Sequence, residues 1–340
     1  MLIKEGQMYS FGYAPDQYFD GKSFTNITEM ISDSEFNDIL RLCGINPYGL
    51  SDYERFKAFC GIVPMLSGHP IVAKISSLLN LCFGIGVQCT NHGCDEIWET
   101  VASKLFNAPM NGLDCLKMLN RSFNSQLLLD CDQLTNMDGL PKGIEPILYG
   151  NSFANTTATD WALWEEEMVR MIDQLFEKGG CCVYFRLANE TAYEIPSLYH
   201  VEQALKGNSS ERNGLLLAQI LRQLCLICRQ KEMTLYLDIE SIGSKRVVQL
   251  LEHICKIIGL PHTVIFTRDL PTLDAMISLI PTLPIGLVTV GFLTGNYPST
   301  IELKTAYEAT VARYPAGLLN VFCSYDLRYS NYEKKRFFAL

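Results

Sequence analysis

From residue 125 onward, short apolar runs alternate with stretches whose apolar residues recur at helical spacing. Such alternation is typical of parallel strands joined by helical crossovers. Together with an aromatic-rich run at the start of the chain, it predicts strands at 7–13, 127–132, 145–150, 181–187, 233–238, 263–267, 285–292 and 318–324. The helices predicted between them are 161–176, 215–230, 245–258, 270–280 and 301–313. The pattern therefore predicts an α/β fold, a (β/α)8 barrel. An open doubly wound sheet is the alternative, and it lacks a glycine-rich phosphate-binding turn.

A long helical stretch, residues 26–124, separates the first two predicted strands. Ser51 and Glu54 have the spacing of a capping box, and Phe56 and Phe59 follow at helical spacing. Further apolar helices are predicted at 72–83 and 95–105. We therefore expect residues 1–340 to form a single (β/α)8 barrel with an all-helical insertion, 26–124, after strand one.

Composition places the chain among well-packed globular proteins, with 48% hydrophobic and 19% charged residues over 340 positions. The net charge of -9 disfavours a nucleic-acid partner. No apolar run reaches the roughly 18–20 residues that span a membrane, and the first residues lack a signal-peptide core. The sequence therefore predicts a cytoplasmic protein without a membrane partner.

Thirteen cysteines, an odd number, favour free thiols in that compartment. Most lie in apolar runs, where cysteine acts as a small buried hydrophobe: Cys82, Cys131, Cys181, Cys182, Cys255 and Cys323. The Cys225/Cys228 pair lies in a helical pattern without a second pair, and the Cys89–Cys94 segment lacks an evident fourth zinc ligand. None of the five histidines ends a predicted strand, so a histidine-based metal centre is not expected.

Candidate chemistry lies at the carboxyl ends of the strands, where barrels of this class bind their ligands. Asp326 and Arg328 follow the last predicted strand. On strand five, Tyr236, Asp238 and Glu240 alternate with apolar residues and so share one face. Two carboxylates on one face can serve as acid and base or hold a cation. The structural alternative is a carboxylate that only pairs with Arg186 or Arg268 at the barrel mouth.

Several segments also resemble a known family. They are 24–29, 51–59, 63–64, 68–70, 83–85, 260–263 and 317–328. In order and spacing they resemble uronate isomerase, the glucuronate and galacturonate isomerase branch of the amidohydrolase superfamily. The resemblance runs along most of the chain and implies the same barrel with a helical insertion. It implies aldose–ketose isomerisation of D-glucuronate or D-galacturonate, a part of carbohydrate metabolism, with a divalent metal such as Zn or Mn.

Carried over by position, the resemblance puts the metal-ligating aspartate at Asp326 and a substrate-side arginine at Arg328. The paired histidines of strand one fall at Ser10 and Gly12, and the strand-five histidine at Tyr236. Because these residues are not imidazoles, no metal or other cofactor is expected. In place of a metal, Asp326 is expected to have an arginine or hydroxyl partner.

Two functions are consistent with these residues, and whether the chain is an enzyme stays open between them. In the first, it is a uronate isomerase-like barrel without the metal centre, catalytically inactive, that binds a small sugar acid or a protein partner or serves as a scaffold. In the second, it is an isomerase with a rebuilt site. Asp238, Glu240 or Asp326 would then be catalytic, with substrate bound by Arg186, Arg328 and Tyr236. A homo-oligomer is compatible with either function.

Overall fold

Eight parallel strands close into a barrel in chain order, with the first strand paired to the last. The computed structural model describes residues 8–31, 33–66, 68–86, 89–121, 124–137, 139–187, 191–192, 194–207, 212–239, 244–267, 288–297, 299–314, 319–323 and 326–339. The strands are β1 Met8–Gly12, β2 Ser125–Leu129, β3 Ile144–Tyr149, β4 Cys182–Leu187, β5 Thr234–Ile239, β6 Thr263–Thr267, β7 Val288–Leu293 and β8 Leu319–Phe322. The predicted (β/α)8 barrel is confirmed.

Helices follow the strands along the chain. Between β1 and β2 lie α1 Asp33–Leu42, α2 Asp52–Ile62, α3 Pro70–Phe83, α4 Cys94–Asn107 and α5 Gly112–Leu119. After β2 come α6 Cys131–Asn136, α7 Trp161–Glu177, α8 Leu198–Lys206, α9 Arg212–Gln230, α10 Ser244–Ile257, α11 Thr300–Arg313 and α12 Ser330–Phe338. The predicted helix 270–280 lies outside the described residues. No helix of the described part is long and apolar enough to cross a membrane.

The stretch between β1 and β2 is helical, as predicted. Helix α2 begins with the expected capping box, in which the Ser51 side chain accepts from the Glu54 amide and Glu54 accepts from the Ser51 amide. The apolar faces of these helices share one continuous core with the helices around the barrel. The division of the chain into one barrel and one insertion stays a prediction.

Aromatic rings fill the interior of the barrel. Phe11, Tyr184 and Phe266 lie with ring centroids 5.5 to 6.5 Å apart, and Phe322 is 5.1 Å from Phe266. Rings at these separations interact favourably beyond simple area burial. Because strand side chains alternate, Tyr9 and Tyr13 face inward with Phe11.

The inward face of β1 corrects one expectation from the resemblance. Ser10 and Gly12 alternate with the inward-facing Phe11 and Tyr13, so they point out toward the helical layer. A shift of one residue moves every side chain of a strand to the other face. The inward-facing positions of β1, and the residue that follows the strand, therefore hold aromatic side chains: Tyr9, Phe11 and Tyr13.

Candidate functional site

The most connected group at the barrel mouth joins the carboxyl ends of β4 and β5. Arg186 and Asp238 are direct neighbours in the two strands. Asp238 is fully buried, and its Oδ2 atom accepts a hydrogen bond from the Tyr184 hydroxyl and one from Arg186 Nε at 3.3 Å. Asp238 is thus paired with an arginine at the barrel mouth, as the structural alternative expects. Burial of this carboxylate is tolerated because it has hydrogen-bond donors and a countercharge.

Arg186 is the accessible member of this group. Its side chain is 29% exposed, whereas that of Asp238 is 0% exposed. Asn151 holds the backbone of Arg186 in place: the Arg186 amide donates to Asn151 Oδ1, and Asn151 Nδ2 donates to the Arg186 carbonyl, both at 2.7 Å. Burial alone would lower the pKa of Arg186. The nearby oxygens of Tyr184 and Asp238 raise it by more, so the net effect is a raised pKa. The part-exposed guanidinium at the mouth therefore stays charged, and its pairing with Asp238 fixes its position.

Two more tyrosines border this arginine. Tyr13 and Tyr149 lie edge to face with centroids 6.1 Å apart, and Tyr149 lies 5.8 Å from Tyr184. Burial raises the pKa of the Tyr13 phenol, and nearby Tyr149 raises it further, while Arg186 lowers it. The phenol therefore stays neutral and can offer a hydroxyl and a ring face to a ligand.

The Tyr13 phenol should make stability depend on alkaline pH. Because its folded pKa lies above the ordinary value of 10.0, its contribution is complete below pH 10.0 and is lost as pH rises above that value. Between pH 8 and pH 11, the free energy of unfolding should fall by about 1 kcal/mol less in Tyr13→Phe than in the wild-type protein. Urea unfolding at the two pH values would measure this, with exposed Tyr199→Phe as the control. A Tyr13 that ionised more readily in the folded protein would give a change of opposite sign.

Asp326 and Arg328 form a second, separate ion pair. Arg328 Nε lies 3.0 Å from Asp326 Oδ1, and Nη2 lies 2.6 Å from Oδ2. The expectation of an arginine partner for Asp326 is confirmed. Arg328 is only 3% exposed, and its Nη1 donates at 3.3 Å to the Met30 carbonyl in the helical stretch. This arginine faces the helices between β1 and β2, so the pair joins the end of the barrel to them.

The remaining predicted site residues lie elsewhere. Tyr236 is 7% exposed and deep in the barrel, where its hydroxyl accepts from Gln126 Nε2 at 3.2 Å, well below the mouth. Burial raises its pKa well above the ordinary value. Glu240 lies outside the described residues. The catalytic and substrate-binding roles assigned to these residues from the sequence stay predictions.

A divalent metal of the kind that the resemblance implies does not fit the described residues of the mouth. The Asp238 carboxylate is bonded to Arg186, and the Asp326 carboxylate is bonded twice to Arg328. The raised pKa keeps Tyr13 a neutral phenol, which is a weak ligand. The guanidinium of Arg186 would also repel a cation placed beside Asp238.

Sequence reasoning missed the tyrosines of this site, Tyr13, Tyr149 and Tyr184. Each lies at or near the end of an apolar run, where a tyrosine indicates only packing inside the barrel. One signal was present: Tyr184 is two residues before Arg186 and therefore shares its face of the strand.

The fold has known structural relatives. The structure of uronate isomerase from Thermotoga maritima superposes with a TM-score of 0.73 and 14% identity, covering 98% of this chain and 87% of that one. Glucuronate isomerase from Caulobacter crescentus gives 0.72 and 11%, covering 97% and 83%. No family profile matches the chain, and no curated protein sequence matches it. The resemblance to uronate isomerases thus holds for the fold of nearly the whole chain.

Proposed function

We propose that this uronate isomerase-like barrel binds a small sugar acid at its mouth and does so without a divalent metal. The observation that carries the proposal is the arrangement around Arg186. Its guanidinium is part-exposed, is held by the buried Asp238, and is bordered by Tyr13 and Tyr149. Similarity in fold to uronate isomerases supports a ligand of the sugar-acid class.

The chemistry of these groups suits a carboxylate attached to a sugar. A guanidinium binds a carboxylate through paired, charge-assisted hydrogen bonds, which a point charge such as lysine cannot reproduce. Tyrosine rings offer apolar faces to a sugar ring, and their hydroxyls can bond to sugar hydroxyls. Isomerisation would also need a positioned base, and the Asp238 oxygen that faces Arg186 already accepts two hydrogen bonds. Binding without turnover is therefore the function that the described residues favour.

Binding of D-glucuronate, D-galacturonate and neutral D-glucose, measured by calorimetry, tests this proposal. We expect the acids to bind and glucose not to bind. Arg186→Met should weaken acid binding about 10- to 100-fold, because hydrogen bonds to charged groups are worth roughly 1.5–3 kcal/mol. Arg186→Lys should recover only part of the loss. The control is Lys206→Met, at the exposed end of α8.

Three results would contradict the proposal. Equal affinity of the wild-type protein and Arg186→Met for the acids would remove Arg186 from the site. Deuterium exchange at C2 of either acid in heavy water would show the alternative, an isomerase with a rebuilt carboxylate and arginine site. Metal analysis of protein purified without chelator tests whether the mouth lacks a divalent metal. A tightly held divalent ion that is released by Asp326→Asn would contradict this part of the proposal.

A further inference from the structure

A second group of reactive side chains lies at the opposite end of the barrel from the candidate site. Glu145 is the second residue of β3, Cys181 directly precedes β4, and Cys182 begins it. Since all strands run parallel, this is the amino end of the barrel, remote from Arg186 at the carboxyl end of the same strand. Within the described ranges, these three residues bring one ligand atom each within 4.8 Å of the others.

The contacts within this group are direct. The two sulfur atoms lie 3.5 Å apart, and Cys181 Sγ lies 2.6 Å from Glu145 Oε1. The Cys181 amide donates to the same carboxylate oxygen at 3.1 Å, which fixes the orientation of Glu145. Cys181 is exposed to solvent, whereas Cys182 is 3% exposed. The sequence predicted both as buried core residues, and for Cys181 that prediction is wrong.

The spacing fits a tetrahedral ion. Two thiolates bound to zinc at about 2.3 Å stand about 3.8 Å apart, close to the observed separation of the sulfurs. The carboxylate oxygen would have to retreat by about 1 Å to reach its zinc-bound position, which the part-exposed Glu145 side chain can accommodate. Sulfur-rich donor sets select zinc-like cations over magnesium and calcium.

We propose that Cys181, Cys182 and Glu145 form a binding site for a thiophilic divalent cation such as Zn²⁺, with water as the fourth ligand. Binding converts two thiols to thiolates and releases two protons to solvent, so affinity rises with pH. Tyr236 lies beside Cys182 and is hydrogen-bonded to Gln126, which places a polar shell behind the buried ligand. The ion would link the starts of β3 and β4, and the site is independent of ligand binding at the mouth.

Titration of chelator-stripped, reduced protein with Cd²⁺, followed by the thiolate-to-cadmium absorption band, tests this site, with competition by Zn²⁺. We expect one saturable site, and we expect Cys181→Ser to weaken cadmium binding by more than about 100-fold. Loss of a residue that only hydrogen-bonds to a metal ligand already lowers metal affinity about 10- to 100-fold, and loss of a ligand itself should cost more. Cys181 is exposed, so its replacement should leave the fold intact. Glu145→Gln should weaken binding but keep the sulfur band.

The matched control is Cys43→Ser, which removes a part-exposed thiol in the helical stretch before β2. It should leave the cadmium titration unchanged. Equal affinity and band intensity in wild-type protein and Cys181→Ser would overturn the proposal and assign the ion to other thiols. A wild-type protein that shows no saturable cadmium band would overturn it as well.

Discussion

Replacing Arg328 by methionine is expected to lower the free energy of unfolding by about 3 kcal/mol, as for other broken buried ion pairs. The guanidinium is 3% exposed, is bonded twice to Asp326, and reaches the Met30 carbonyl. Methionine fills the space but leaves these oxygens without those donors. The estimate is at the low end of the usual range because Asp326 is 32% exposed and can be hydrated.

Urea denaturation would measure this loss, with Arg41→Met as the matched control. Arg41 pairs with Asp38 at 2.9 Å, but both side chains are exposed, so its replacement should cost well under about 1 kcal/mol. Arg328→Lys should recover little, because one ammonium cannot reproduce the planar double contact. Equal losses for Arg328→Met and Arg41→Met would show that the buried pair does not stabilise the junction.

Gly112→Ala is expected to cost about 3 kcal/mol or more, at the upper end of the range for overpacked sites. Gly112 begins α5, and a Cβ atom there would lie 2.2 Å from the Tyr18 Cα and 2.4 Å from its carbonyl oxygen. Both obstacles are backbone atoms, which cannot rotate away as a side chain could. The helix can accept the methyl group only if it moves away from the segment around Tyr18.

Gly61→Ala provides the matched control for this substitution. Gly61 lies within α2, and its added Cβ would meet only Asn91 Oδ1, at an ordinary 3.7 Å. Here the higher helix propensity of alanine should stabilise the protein by about 0.5–1 kcal/mol. The two variants should therefore shift the thermal midpoint in opposite directions. A neutral Gly112→Ala would mean that α5 is not held against Tyr18 in solution.

The barrel could be predicted from sequence because buried parallel strands read as continuous apolar runs. The same pattern offered Arg186 or Arg268 as an arginine partner for a strand-five carboxylate, since these residues end neighbouring strands of one closed sheet, and the structure pairs Asp238 with Arg186. An arginine partner for Asp326 was also predictable, because Arg328 is two residues away and a partly buried carboxylate without a metal needs a countercharge.

The face of β1 that holds the strand-one site positions was assigned from the resemblance and not from the pattern of side chains. Tyr9, Phe11 and Tyr13 alternate with Ser10 and Gly12, but a row of aromatic side chains indicates core packing and not a site. The strand-one site positions were accordingly placed on Ser10 and Gly12, one residue away from the inward face.

The site at the amino end was missed for a different reason. Adjacent cysteines in an apolar run suggest core packing. Only the close approach of Glu145 from the neighbouring strand indicates that they could bind a metal ion. That approach joins residues 36 positions apart and depends on the strand register.

The hydrogen bond from Arg328 to the Met30 carbonyl joins residues 298 positions apart in the chain. The hydrogen bond from Asn120 Nδ2 to the Leu327 carbonyl joins residues 207 positions apart. During synthesis the helices between β1 and β2 leave the ribosome long before these partners exist. Contacts of such long range carry a loop-closure cost that must be met before they contribute, and they slow folding. These contacts between the helical stretch and the segment after the last strand therefore form only when the end of the chain is in place, so this part of the docking is completed late in folding.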